Sequence, residues 1–108
     1  MSRPLPRRLR RLASIEVPEL AGVDVRVAAD PLARLIGLAG LRALPPASAL
    51  LLPGTRSIHT LGMRFPLDLV WLDGDGGVVR TDRAVRPWRV RACRAASQVV
   101  ELPSPSDP

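Results

Sequence analysis

Four polar side chains in the middle of the chain have the types and spacing to form a small polar site. They are Arg56, His59, Arg64 and Asp68. An imidazole can act as a general base, and a carboxylate can orient it or hold a cationic group. The sequence therefore offers His59 and Asp68 as the candidate catalytic residues of an enzyme, and all four side chains as candidate ligand-binding residues.

A structural role for Asp68 is the alternative, and the sequence favours it. Asp68 is the only charged residue between Pro66 and Leu72, in a segment that is apolar on both faces of a predicted strand. A carboxylate in such a strand must be paired or hydrogen-bonded, and Arg56 and Arg64 are the nearest candidate cations. In this interpretation Asp68 accepts backbone N–H groups and holds the loop around His59 against the sheet.

The sequence predicts neither a metal site nor a cofactor. The chain has one His and one Cys, whereas zinc sites gather three or four ligands. Residues 73–76 begin like a calcium loop, but Gly77 and Ala84 stand where that loop needs oxygen ligands. No Gly-x-Ser-x-Gly nucleophile motif occurs. A binding domain is therefore a better interpretation than an enzyme.

Positive charge is concentrated at the N-terminus. The formal net charge is +6, all sixteen basic residues are Arg, and five of these lie in the first eleven residues without an acid. Prolines interrupt this region, so residues 1–20 are predicted to be a flexible basic arm. A third function, binding to nucleic acid or an anionic surface, would use four of its arginines: Arg7, Arg8, Arg10 and Arg11.

The arm also has a weak helical pattern. Leu5, Leu9 and Leu12 share one helical face opposite the arginines, which is typical of a short amphipathic turn on an anionic surface. Deletion of residues 1–12 is expected to abolish any such binding and to leave folding unchanged.

The rest of the chain reads as one mainly β domain over residues 21–102, followed by a Pro/Ser tail over 103–108. Asp30 and Pro31 predict the start of one short helix that ends at Gly37. Residues 73–77 predict a hairpin turn. The predicted fold is a small antiparallel sheet or barrel-like domain, with α+β as the alternative. Strands are predicted near residues 23–27, 49–52, 66–73, 78–81, 86–92 and 98–102.

No apolar run is long enough for a membrane span. Polar residues and proline interrupt the stretch after Arg11, so no secretory signal is visible. The sequence therefore predicts a cytoplasmic protein without a transmembrane segment.

Three segments together resemble a bacterial family known as domain of unknown function 192. Residues 30–38 resemble its T/D-P-x-x-R-x-x-G-L motif, residues 66–76 its P-L-D-x-x-x-x-D-x-x-G block, and residues 99–102 its Val-Leu-Glu-Leu strand. The central block is the most specific of the three. His59-Thr60 replaces the usual Trp-Met, which indicates a variant subgroup.

The resemblance implies a compact, mainly antiparallel β fold with one short helix, and it implies no known activity. The function it suggests is that of an uncharacterised bacterial accessory or binding domain. Family members usually continue beyond the Glu-Leu strand, whereas here a Pro/Ser segment follows Leu102. Such a difference would leave a sheet edge open, and an open edge favours self-association.

Overall fold

A computed structural model describes residues 4–105, and it is mainly β, as the sequence predicts. Predictions that involve Arg3 or residues 106–108 lie outside this range. The described part contains two short α-helices, one 3₁₀ turn over Pro18–Leu20 and eight strands. Their bounds are α1 Arg7–Arg10, β1 Ser14–Ile15, β2 Asp24–Val27, α2 Pro31–Ile36, β3 Ser48–Pro53, β4 Ser57–His59, β5 Leu67–Leu72, β6 Val78–Val85, β7 Val90–Ala92 and β8 Gln98–Pro103.

The strands of residues 4–105 form two sheets and no closed barrel. The larger sheet has the order β1-β2-β3-β8-β5-β6, and β4 pairs with β7 in a separate two-stranded sheet. All pairs in the described residues are antiparallel except β2–β3. A parallel pair needs a crossover connection, and α2 supplies it between β2 and β3. The crossover places the C-terminal end of α2 over the sheet.

The bounds of α2 follow from local chemistry. The Asp30 carboxylate accepts a hydrogen bond from the Ala33 N–H at 2.9 Å, and Pro31 occupies the first turn. Gly37 ends the helix with a φ of +53°, in the left-handed region that favours glycine. Both predicted signals are confirmed.

Strand β5, which lies between β8 and β6, is buried along its whole length, because apolar side chains cover both faces of the sheet. One face belongs to the main core, to which Leu69, Trp71 and Val99 contribute. The other face packs Val70 and Val100 into a second cluster. The predicted two-sided strand and its hairpin to β6 are therefore present.

The N-terminal region differs from the expected arm, because residues 4–20 pack against the domain. Leu9 of α1 is only 2% exposed and belongs to the main core, with Leu5 and Leu12 packed beside it. The Arg26 guanidinium donates a hydrogen bond to the carbonyl of Leu12 at 3.1 Å, and β1 pairs with β2. The apolar face of the amphipathic turn is thus buried against the protein.

The region before β7 also differs from expectation. Only Val90–Ala92 is a strand, and Trp88 adopts a φ of +65° with 66% of its surface exposed. Fully buried Thr60 fixes this turn: its hydroxyl donates to the Arg86 carbonyl at 2.7 Å and accepts the Arg89 N–H at 2.8 Å. These long-range contacts override the alternating pattern of residues 86–92.

The Glu-Leu strand is not at a sheet edge. β8 pairs with β3 on one side and with β5 on the other, so its described backbone is covered. The outer strands of the large sheet are β1 and β6. Self-association stays a prediction, but the edge that would support it is not beside β8.

Candidate ligand-binding cavity around Glu101

Glu101 is a buried acid at the centre of the large sheet. It lies in β8, opposite Leu50 of β3 and Leu69 of β5, and only 4% of its surface is exposed. Its Oε1 atom has no hydrogen-bond partner among the residues that the structure describes. Burial in these surroundings raises the pKa of the Glu101 carboxyl from 4.5 to about 7, because desolvation disfavours the charged form.

The carboxyl of Glu101 lies directly against the C-terminal end of α2. A Cβ atom at Gly37 would stand 3.2 Å from Glu101 Oε1, which is closer than ordinary packing allows. Two features therefore favour glycine at position 37: its positive φ and the close approach of the Glu101 carboxyl. The end of the crossover helix and the central strand meet at this point.

A cavity of about 210 Å³ opens beside this contact. Its walls come from the end of α2, from β3, from the loop and strand around β4, and from β8. The polar lining residues are Arg34, Thr55, Ser57, His59 and Glu101, and the main apolar ones are Leu35, Ile36, Leu38, Leu52, Ile58 and Met63. The cavity thus combines one buried carboxyl with an apolar wall and a polar rim.

Two of the rim side chains are held by hydrogen bonds. Arg34 donates through Nη1 to the carbonyl of Pro53 at 3.2 Å. His59 accepts the N–H of Leu61 at its Nδ1 atom at 3.3 Å, so in the neutral ring the proton lies on Nε2. The carboxyl of Glu101 is the group that is left with an unmet acceptor.

The four residues predicted to form a polar site do not line one cavity. His59 lines the cavity around Glu101, whereas Asp68 lines another one beside Leu102 and Pro103. Arg56 is exposed and donates through Nε to the carbonyl of Ala96 at 3.1 Å, and Arg64 is exposed. The structure therefore brings His59 together with Glu101.

Asp68 is hydrogen-bonded, as expected of a buried carboxylate, but its partners are on β6. It accepts the Ala84 N–H at 2.8 Å, and its other oxygen lies 3.6 Å from Arg83 Nη1. The register between β5 and β6 shifts between Leu67 and Leu69, and Asp68 bonds to the backbone of β6 at this irregularity. The nearest cation is thus Arg83 rather than Arg56 or Arg64.

Sequence reasoning missed Glu101 as a site residue. The alternation of β8 correctly places Glu101 on the face opposite Val100 and Leu102, but that face is buried as well. The sequence signal for the burial of Glu101 is the apolar residue Val99, which lies two positions earlier on the same face of the strand. In the structure Val99 is fully buried.

The basic residues of the N-terminus divide into two groups. Arg8 donates through Nη2 to the carbonyls of Gly37 and Ala39 at 3.1 and 2.7 Å, and burial lowers the pKa of its guanidinium. The other predicted nucleic-acid contacts, Arg7, Arg10 and Arg11, are exposed, as Arg8 is, but their side chains make none of the hydrogen bonds described for residues 4–105. Arg8 is therefore a link between α1 and α2 beside the Glu101 cavity.

Residues 4–105 contain neither a candidate metal site nor a candidate membrane-spanning helix. No group of three or more His, Cys, Asp or Glu side chains there could hold a metal ion. No helix in that range is long and apolar enough to cross a bilayer.

Fold and cavity together define a small, mainly β domain with one crossover helix and a buried acid between helix and sheet. The sequence profile of DUF192, described as an uncharacterized ACR, matches residues 14–105. The chain belongs to this family, whose function is unknown. The variant subgroup and the missing C-terminal segment stay predictions.

Two crystal structures have a similar fold. One is a Sinorhizobium meliloti 1021 protein provisionally described as a transcription regulator, with a TM-score of 0.70, 24% identity, and coverage of 76% of this chain and 69% of that one. The other is a Novosphingobium aromaticivorans DSM 12444 protein of unknown function, with a TM-score of 0.69, 14% identity, and coverage of 77% and 64%. The chain thus spans less than two thirds of the second protein. No curated protein matches it.

Proposed function

We propose that this domain binds a small molecule in the Glu101 cavity, and that the ligand presents a protonated amine to Glu101 Oε1. The observation that carries the proposal is a buried carboxyl oxygen without a partner in residues 4–105, on a residue that lines a cavity. Leaving such an acceptor unsatisfied is costly. A ligand with a cationic donor would satisfy it and neutralise its charge.

The size and lining of the cavity limit the ligand. A volume of about 210 Å³ corresponds to on the order of seven water molecules, so the ligand is a small metabolite. The apolar wall that includes Leu38, Leu52 and Met63 suits a short hydrocarbon body. His59 and Arg34 lie at the rim, where they can contact a second polar group of the ligand.

The proposal keeps His59 as a binding residue and leaves Asp68 out of the site, since the two side chains line different cavities. Asp68 already has the Ala84 N–H as a partner. Binding rather than catalysis is proposed because Glu101 needs only a donor, and no nucleophile contacts it among the described hydrogen bonds.

The test is a titration followed by amide chemical shifts in ¹⁵N-labelled protein. n-Butylammonium is expected to shift the amides of Gly37, His59 and Glu101 and to saturate, whereas 1-butanol and butyrate are not. Affinity should rise as the pH rises through about 7, because the cation binds the ionised carboxyl. Glu101→Gln should abolish saturation, and Glu19→Gln, at an exposed acid, is the matched control.

Three results would contradict the proposal: no saturation with the amine, an equal response to butyrate, or an unchanged affinity in Glu101→Gln. The first result would mean that water fills the cavity and satisfies the carboxyl. Stability measurements on the Glu101→Gln variant establish independently that the variant is folded.

A further inference from the structure

Helix α2 exposes an apolar ridge that the core does not need. Leu32 is 64% exposed, Leu35 66% and Ile36 41%. These residues lie three and four positions apart, so their side chains are neighbours on one face of the helix. Single exposed leucines are ordinary, whereas a contiguous apolar ridge often marks an interaction surface.

A groove of about 420 Å³ runs between this ridge and the N-terminal segment. Leu9 and Leu12 line it from the α1 side, and Leu32 and Ile36 line it from α2. Its charged lining residues are Arg8, Arg11 and Asp30. The Asp30 carboxylate accepts the Ala33 N–H as the helix cap, and Arg8 is bonded to backbone carbonyls at the end of α2.

The bonds of Arg8 fix the two segments relative to each other, so charge and apolar surface are presented together. Arg7, Arg10 and Arg11 are exposed, and none of them forms an ion pair within residues 4–105. Arg11 lines the groove itself, and Arg7 and Arg10 lie within one helical turn of it on α1. The face therefore combines an apolar ridge with uncompensated cations.

We propose that the face formed by α1 and α2 docks on an anionic lipid surface. Leu32 and Leu35 enter the boundary between headgroups and acyl chains, and Arg7, Arg10 and Arg11 lie at the level of the lipid phosphates. This is the arrangement of interfacial amphipathic segments, in which apolar burial and attraction to anionic lipid act together. The proposal does not rest on a ligand in the Glu101 cavity.

The charge pattern argues against two other occupants. A second copy docked through the same face would bring the arginines of the two α1 segments together, and like charges across an interface oppose binding. Nucleic acid would use the arginines but would leave the leucine ridge in water. Single-strand binders also stack bases on aromatic rings, and the exposed Trp88 lies outside this groove.

The test is cosedimentation of the chain with vesicles of phosphatidylcholine alone or with phosphatidylserine added. Binding is expected only to the anionic vesicles and should weaken as salt is raised. Arg7→Gln/Arg10→Gln/Arg11→Gln should lower the partition coefficient on the order of a hundredfold, from roughly fivefold for each arginine. Leu32→Ser/Leu35→Ser should lower it by at least about tenfold.

Control variants carry the same chemical changes elsewhere on the surface. Arg42→Gln/Arg86→Gln/Arg94→Gln removes three exposed arginines, and Val78→Ser/Val90→Ser replaces two apolar side chains that are 43% and 66% exposed. Both should bind vesicles within about twofold of the parent. Equal binding of the parent and the leucine variant would overturn the proposal. So would an absence of binding to anionic vesicles, or binding to a DNA duplex that depends on the arginines and not on the leucines.

Discussion

Replacing Glu101 by Gln is expected to stabilise the domain more at pH 8 than at pH 5. The substitution keeps the shape of the side chain and removes its ionisation. Burial favours the protonated carboxyl in the folded state, whereas in the unfolded chain the same group ionises at its ordinary pKa. The free energy of unfolding of the parent therefore falls as the pH rises from 5 to 8. The variant has no ionisable group at position 101, so this decrease is absent from it.

The magnitude follows from the displacement of the pKa from 4.5 to about 7. Below pH 4.5 the carboxyl is protonated in both states, so it contributes no pH dependence. Between 4.5 and 7 the unfolded state alone releases its proton, which lowers stability with rising pH by a total of about 3 kcal/mol. Above pH 7 both states are ionised and the loss is complete.

Urea unfolding at pH 5, 6, 7 and 8 measures this difference. Tryptophan fluorescence is a suitable signal, because Trp71 is fully buried and Trp88 is already exposed in the folded state. The stability gap between Glu101→Gln and the parent should widen by about 2 kcal/mol from pH 5 to pH 8, and the shifted carboxylates of Asp24 and Asp82 cancel in the comparison. A gap that does not change with pH would refute the reasoning and would mean that Glu101 is solvated or paired.

Four further substitutions test contacts within the domain by urea unfolding at pH 7. Gly37→Ala should destabilise the domain by more than about 1 kcal/mol, because φ is +53° and the new Cβ meets a carboxyl oxygen at 3.2 Å; a neutral effect would contradict the close approach. Asp68→Leu should lower the free energy of unfolding by about 2–4 kcal/mol, because it leaves the Ala84 N–H unpaired. Arg83→Gln should lower it by less than about 1 kcal/mol, because the Arg83 side chain is 76% exposed. Leu9→Ala should cost about 2–5 kcal/mol, and a stable Leu9→Ala variant would mean that α1 contributes little to the core.

Elements specified by neighbouring residues could be predicted from the sequence. The cap at Asp30, the stop at Gly37 and the hairpin after β5 each depend on a few adjacent side chains, and all are present in the structure. The burial of β5 also follows from its own composition, because a strand that is apolar on both faces must be covered on both. Local chemistry thus accounts for these elements one by one, but not for the order and direction in which the strands pair.

Contacts between distant segments could not be predicted in the same way. The parallel pairing of β2 with β3 depends on where α2 packs, and the pairing of β4 with β7 depends on the buried hydroxyl of Thr60. The sequence predicts a flexible arm around Leu9, because prolines and arginines dominate its surroundings. Its burial is a tertiary effect, since an apolar face that finds a complementary surface packs there regardless of the local composition.

The difference between the two buried acids is the strongest argument for where function lies. Asp68 sits in the most specific sequence block of the family resemblance, yet its hydrogen bond to Ala84 accounts for it as a structural residue. Glu101 comes from the final strand motif and meets Gly37 of the helix motif, and its Oε1 has no partner in the described chain. The raised pKa of Glu101 corresponds to a loss of about 3 kcal/mol of stability between low and neutral pH, and an apolar side chain in the same place would not have this loss. Proteins keep such destabilising groups where activity or binding needs them. We therefore expect the function at the cavity beside Glu101, where a bound ligand would supply the missing hydrogen-bond donor.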